Sequence, residues 1–399
     1  MLSQRMSKLG TEAAFQVLAR ASELQRAGKD IINLCIGQPD FRTPEHIVEA
    51  ARKALADGHH GYTLANGILP LREAVVADLH RRHGVSLSPA QVVVVPGGKV
   101  TMFFAIMMFG EDGTEIIYPN PGFPIYESVI RFSGATPVPM RLHESNGFSF
   151  NAEEVLALIT PRTRLLILNS PANPTGGVVP KAELDRLVAG LERHPQVAVM
   201  SDEIYGEMIY EGTHTSLTTY PQLADRLILL DGWSKTYAMT GWRLGYGVWP
   251  LALAPHAERL AINCHSCVNA AAQYAGIAAL TGPREPVRQM VAAFAERRSS
   301  IIPALNALPG VGCVMPGGAF YAFPNIRGTG LDSRTLQSRL LDEAGVATLS
   351  GTSFGAFGEG YLRLSYAASL PLLSEAVRRI GAFLEQMAPA ERPASRVTA

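Results

Sequence analysis

A chain of 399 residues exceeds what one hydrophobic core usually organises, so two subdomains are expected. Hydrophobic residues make up 47% and charged ones 18%, and 35 basic side chains balance 35 acidic ones; no charge block suggests nucleic acid or a membrane surface as partner, which points to small-molecule chemistry. No apolar run reaches the roughly 18 residues of a membrane span and the N-terminus lacks a signal-peptide core, so a cytoplasmic protein is expected.

In chain order, "TEAAFQVLARASELQRAG" (11 to 28) reads as a helix with Thr11 as its cap and Gly28 as its stop. Seven β-rich runs follow: "QVVVV" (91 to 95), "EIIY" (115 to 118), "TPVPM" (136 to 140), "RLLILN" (164 to 169), "QVAVM" (196 to 200), "RLILLD" (226 to 231) and "RLGYGVW" (243 to 249). Helical periodicity separates them at 99 to 109, 122 to 134 and 181 to 194, the alternation of a mostly parallel α/β sheet. A long helix from about Glu285 to Asn306 then opens a smaller α/β unit, to which the N-terminal segment is expected to belong. The expected division is a large unit over 45–285, a small unit from 1–44 plus 286–388, and a disordered Pro/Ala-rich tail over 389–399. The four cysteines are too scattered for a disulfide framework, and "CHSC" (264 to 267) has no second pair at finger spacing, so no metal site is expected.

In an open α/β sheet, ligands bind beyond the carboxyl ends of the strands. The first run ends in Gly97, Gly98 and Lys99, a tight strand-to-helix turn that also suits an anion because backbone N–H groups converge there. The fourth ends in "NSPANPTGG", where Asn173 makes at least a local turn. The fifth ends in Asp202 and Glu203; a surface turn and a functional acid are equally good readings of Asp202. The sixth ends in "GWSK", placing Lys235 among apolar residues where desolvation favours the neutral, nucleophilic amine. Arg243 follows shortly after. Arg363 in "GYLRLSYA" alternates with apolar residues, so it faces inward and needs an anion, whether a structural acid or a ligand. A lysine, a buried acid, an anion turn and an arginine together match pyridoxal phosphate.

"SKTYAMTGWRLGYG", "NSPANPTGG", "SDEIY" and "GYLRLSY" resemble, in order and spacing, the class I/II aminotransferases of the fold-type I pyridoxal-phosphate family. "INLCIGQPDFRTPEHI", "GYTLANGILPLREAV" and "PGGAFYAFPNI" extend the resemblance from about residue 10 to about residue 387. It implies a seven-stranded, mostly parallel sheet flanked by helices, with a smaller α/β domain. It further implies that Lys235 holds the cofactor as an internal aldimine and moves the substrate Cα proton, that Asp202 keeps the pyridine nitrogen protonated, and that Tyr205 and Asn173 bond its 3′-oxygen. Arg243, Ser234 and the backbone of Gly97, Gly98 and Lys99 resemble the phosphate site, and Phe123 the ring that stacks on the cofactor. Arg363, with Asn173 and the backbone of Gly37, resembles the grip on the substrate α-carboxylate. Tyr62 resembles a tyrosine that reaches the neighbouring subunit's phosphate, which implies a homodimer with shared active sites. Some relatives carry a serine three residues before the lysine; here Gly232 stands there.

The implied reaction is transfer of an amino group from an L-amino acid to a 2-oxo acid, with 2-oxoglutarate as the expected acceptor and aspartate-type or broad donor specificity. A β-lyase or cyclising synthase on the same scaffold begins with the same proton abstraction and is the nearest alternative. A regulatory protein that binds the cofactor without turnover is expected less, because such regulators append a DNA-binding unit and the N-terminal segment has no basic helix-turn-helix. Lys99 and Arg42 are available as a second cation for acidic substrates, and Phe41, Phe123 and Tyr321 as apolar pocket walls.

Overall fold

A computed structural model describes residues 2–387; the expected tail at 389–399 lies outside them. The strands are β1 (Ile32–Asn33), β2 (Val92–Val95), β3 (Glu115–Asn120), β4 (Thr136–Arg141), β5 (Thr163–Asn169), β6 (Ala198–Asp202), β7 (Leu227–Gly232), β8 (Gly245–Val248), β9 (Tyr321–Ala322), β10 (Val346–Ala347), β11 (Leu349–Ser350) and β12 (Leu362–Ser365). Seven of them form one sheet in the order β2-β8-β7-β6-β5-β3-β4. All its pairings are parallel except those of β8, which runs antiparallel to both neighbours.

Continuous apolar strands arise because both faces of the sheet are covered. Alternate residues go to opposite cores: Ile116, Leu165, Ile167, Met200, Ile228 and Leu230 pack on one side. Ile117, Leu166, Leu168, Val199 and Leu227 pack on the other. The edge strand β4 carries Pro137 and Pro139 and is largely exposed, as expected where a missing N–H costs no ladder bond.

A separate core brings the helices Glu285–Asn306 and Leu370–Met387 together through Met290, Phe294, Ile301 and Ala376, Ile380, with Ile32 and Leu34 among them. β1 pairs in parallel with β10, Ile32 opposite Val346. The N-terminal strand is therefore built into the same core as the C-terminal helices. No helix among the described residues is long and apolar enough to cross a membrane.

Two local expectations change. The first helix runs Ala13–Arg26, and Thr11 does not cap it; Glu12 occupies the cap position without a capping side-chain bond, because its carboxylate is engaged elsewhere. The last strand of the large sheet begins at Gly245, not at Arg243, which lies in the preceding turn with φ 55°.

Candidate active site

Parallel pairing sets Asn169 opposite Asp202 and Asp202 opposite Leu230, and antiparallel pairing sets Gly232 and Val95 on either side of Gly245. The carboxyl ends of β2, β5, β6 and β7 thus form one edge. Above it lies a cavity of about 500 Å³ that receives Gly98, Lys99, Phe123, Asn173, Asp202, Tyr205, Ser234, Lys235, Arg243 and Arg363. Gly37 lines it from the N-terminal side. Tyr321, also named from sequence, lines it too, whereas Gly97 stands just behind it; most of these residues converge because they end or follow a strand of the large sheet.

Lys235 reaches the cavity three residues beyond β7 and donates from Nζ to the Gly37 carbonyl at 2.6 Å. Its ammonium lies 5.9 Å from the ring centroids of Tyr205 and Phe320. Burial, reinforced by the Arg363 and Arg243 guanidiniums, pushes its pKa down from 10.5 to about 8. A neutral amine is therefore accessible near physiological pH.

Asp202 is the last residue of β6 and is buried. Its Oδ2 accepts from the Tyr126 hydroxyl at 2.6 Å and its Oδ1 from the Ile204 N–H at 3.3 Å. Burial raises its pKa to about 6 despite those bonds, with the Asp231 and Glu203 carboxylates adding to the rise. Glu203, by contrast, does not line the cavity: burial works against its charge, but His214, Ser201 and Ser216 hold it low, at about 2, and the Leu217 N–H also donates to it. Adjacent carboxylates thus have opposite fates, and only Asp202 faces ligand space.

Tyr205 shares a hydrogen bond of 2.6 Å with Tyr321. Asn169 donates to the Asp202 carbonyl at 3.1 Å and accepts the Asn173 N–H at 2.9 Å, which fixes the turn carrying Asn173. The Asn173 side-chain oxygen in turn accepts from Arg363 Nη1 at 3.1 Å. Arg363 also donates to the Cys35 carbonyl and lies 4.7 Å and 4.9 Å from the Tyr321 and Phe354 ring centroids. It is 4% exposed, its Nε is buried without a partner, and no carboxylate pairs with it among the described residues. A guanidinium so placed calls for a planar anion. Arg363→Ala is expected to weaken binding of the substrate α-carboxylate by about 10²-fold or more, read as a rise in KM with the protein's melting temperature recorded alongside.

At the other end, Gly97 adopts φ 94° and Gly98 opens the helix Lys99–Phe109. A Cβ on Gly232 would sit 2.8 Å from the Cα of Gly245, and one on Gly245 would meet the backbone of Gly97 and Gly98. Three backbones can converge only because these positions lack side chains. That close pairing is the physical reason a serine does not fit at 232. The Arg243 guanidinium packs over Gly97 and donates to the Thr240 carbonyl at 2.8 Å and the Pro96 carbonyl at 3.3 Å. Phe123 stands before the helix Ile125–Ser133, edge-on to Tyr126, with the Lys99 ammonium 5.2 Å from its ring centroid.

Tyr62 is not brought to the cavity; it is 93% exposed, beside Leu55, His59 and Cys267. Arg42 and Phe41 line a different, smaller recess. Sequence reasoning missed Tyr126, Asn169 and Glu12. Tyr126 follows Phe123 by one helical turn, which was a usable signal; nothing local marked Glu12.

Residues 29–380 match the family model described as aminotransferase class I and II. The chain is 39% identical over 394 residues to an aspartate aminotransferase of Geobacillus stearothermophilus, covering 97% of this chain and 100% of that one. It is 37% identical over 378 residues to an arginine–pyruvate transaminase of Pseudomonas aeruginosa, covering 95% and 96%. Among solved structures, the aspartate aminotransferase of Rhizobium meliloti superposes with a TM-score of 0.92 at 34% identity, over 96% of this chain and 99% of that chain.

Proposed function

Because the chain belongs to the class I and II aminotransferases, we propose that it moves an amino group from an L-amino acid to a 2-oxo acid, with pyridoxal 5′-phosphate as resident cofactor and 2-oxoglutarate as acceptor. The observation that carries this reading is a lysine with a pKa near 8 and a buried arginine without a carboxylate partner lining one cavity. The residues present fit the cofactor. Asp202 is a buried carboxylate with no Lys, Arg or His paired to it among the described residues, which suits a protonated ring nitrogen. The glycine cradle at Gly97, Gly98 and Gly245, with Ser234 and Arg243, suits a phosphate. Phe123 would stack on the ring, and Tyr205 and Asn173 would bond its 3′-oxygen.

Bound pyridoxal phosphate supplies an aldehyde for an amine and accepts the electron pair left at the substrate Cα. The chain's own residues do the rest. Arg363, with Asn173 and Gly37, grips the α-carboxylate and so fixes which Cα bond is presented for cleavage. Lys235 takes the proton from Cα and later returns one, a task matched to a pKa near working pH. Asp202 holds positive charge at the ring nitrogen by remaining ionised opposite it.

Donor specificity is aspartate-type or broad in this reading, since relatives of similar identity are named for acidic and for basic donors. Residues 45–285 are read as the cofactor unit and 1–44 with 286–388 as the smaller one. The exposed Tyr62 supports a homodimer in which it completes the neighbour's phosphate site; a monomer in sedimentation would remove that role. Incubation of the loaded enzyme with one amino acid is expected to give stoichiometric pyridoxamine phosphate and the matching 2-oxo acid. Sustained release of pyruvate and ammonia from that amino acid alone would instead identify β-elimination.

A further inference from the structure

The charged side chains that line the cavity are Glu12, Lys99, Asp202, Lys235, Arg243 and Arg363. In the aminotransferase reading four have tasks toward the cofactor and the α-carboxylate: Lys235 at the reacting carbon, Asp202 at the ring nitrogen, Arg243 at the phosphate and Arg363 at the α-carboxylate. The remaining two, Glu12 and Lys99, form an ion pair with each other. Glu12 belongs to the N-terminal segment, 87 residues away in sequence from Lys99, and precedes Ala13, Ala14 and Phe15, which line the same wall.

The pair is unequal. The Glu12 side chain is 17% exposed and that of Lys99 45%, so the carboxylate is the more enclosed partner, and the Lys99 ammonium also stands over the Phe123 ring. The Glu12 charge also reaches Lys235, whose ammonium it favours. A donor with a carboxylate at the end of its side chain needs a cation there. Among the described residues, the one uncommitted lining cation is already neutralised, and the neutralising group is itself an anion that such a donor would have to approach. Like charges brought together in a partly enclosed site repel strongly, whereas the alanines and rings around them accept an uncharged chain.

Resting on the aminotransferase reading, we propose that Glu12 is a specificity-determining residue. It makes the side-chain end of the cavity neutral, selects against donors with a free ω-carboxylate, and favours donors whose side chain is uncharged or ends in a cation. Of the two specificities left open above, this is the broad one. The same pair meets the ω-carboxylate of 2-oxoglutarate, so that acceptor engages Lys99 only when Glu12 is drawn away from it, and a 2-oxo acid with an uncharged side chain is expected to be the better acceptor.

The test compares the holoenzyme with its Glu12→Gln and Glu12→Gln/Lys99→Met variants in single-turnover half-reactions with aspartate, methionine and arginine. It adds a calorimetric titration with succinate and butyrate, which have no amino group to transfer. Glu12→Gln is expected to raise the aspartate-to-methionine rate ratio by about tenfold, to lower the arginine-to-methionine ratio, and to tighten succinate without tightening butyrate. The added Lys99→Met should erase the gain for aspartate and succinate. Unchanged ratios and an unchanged succinate affinity in Glu12→Gln overturn the proposal. Absence of any half-reaction in the unmodified enzyme would overturn the aminotransferase reading instead, and the succinate-to-butyrate comparison would still decide the role of Glu12.

Discussion

Lys235→Ala is expected to lower turnover by at least about 10⁴-fold, because in the proposed mechanism this one side chain would both hold the cofactor and carry the Cα proton. Its neighbours explain why no other base takes over. Its hydrogen-bond partner is the Gly37 carbonyl, which accepts a hydrogen bond but cannot take up a proton, and the Tyr205 hydroxyl is held well above its ordinary pKa by burial and by its bond to Tyr321. The loss is measured by single-turnover rates, with far-UV circular dichroism showing that the fold persists. The unmodified chain without cofactor provides a second reading of the same site. Labelling of Lys235 by an acylating reagent should rise with pH to a midpoint near 8, following the neutral amine. Solvent lysines should rise about two units later. Turnover within about tenfold of the parent enzyme in Lys235→Ala would refute the assignment.

Asp202→Asn is expected to cost about 10²- to 10³-fold in turnover while making the cofactor-free chain more stable at neutral pH. Both effects follow from one fact: a carboxylate buried at the end of β6 with hydroxyl and amide donors but no cation. Its folded pKa of about 6 lies above the ordinary value of 3.8. The folded state therefore binds more protons than the unfolded one between those values, so this group's contribution to stability is present at low pH and falls as pH rises through about 4 to 6. Asparagine keeps an oxygen for Tyr126 and removes the charge. The expected gain at pH 7 is about 1–3 kcal/mol, read from urea unfolding of the cofactor-free chain. At pH 4 the gain should vanish. A variant less stable at pH 7 than the parent would show that the carboxylate already has a compensating partner.

Much of the architecture was legible in the sequence because a parallel sheet covered on both faces writes itself as unbroken apolar runs. "QVVVV", "RLLILN" and "RLILLD" correspond to β2, β5 and β7 within a residue or two. The residues that follow those runs were legible too, since a lysine, an acid or a glycine pair stands out against Val, Ile and Leu. Boundaries set by side-chain competition were not. Thr11 looked like a cap on composition, but the helix begins at Ala13 and Glu12 gives its carboxylate to Lys99, a partner that no local pattern could name. Arg243 looked like the start of a strand, yet it takes a left-handed conformation, and the strand begins only at Gly245, which lies against the Gly97–Gly98 backbone.

The sequence by itself determined that an α/β sheet would form and that Lys235, Asp202, Asn173, Arg243 and Arg363 would stand out within it. Periodicity and the cost of burying charge act over a few residues, and a sequence displays both. Only the tertiary structure decided what each of those groups faces. Asp202 enters the cavity while Glu203 binds His214. Arg363 keeps a buried nitrogen without a partner, Tyr62 points to solvent, and Glu12 closes on Lys99. Those outcomes depend on contacts between distant segments, and it is the chain's path through space that brings such segments within the few ångströms over which hydrogen bonds and ion pairs act.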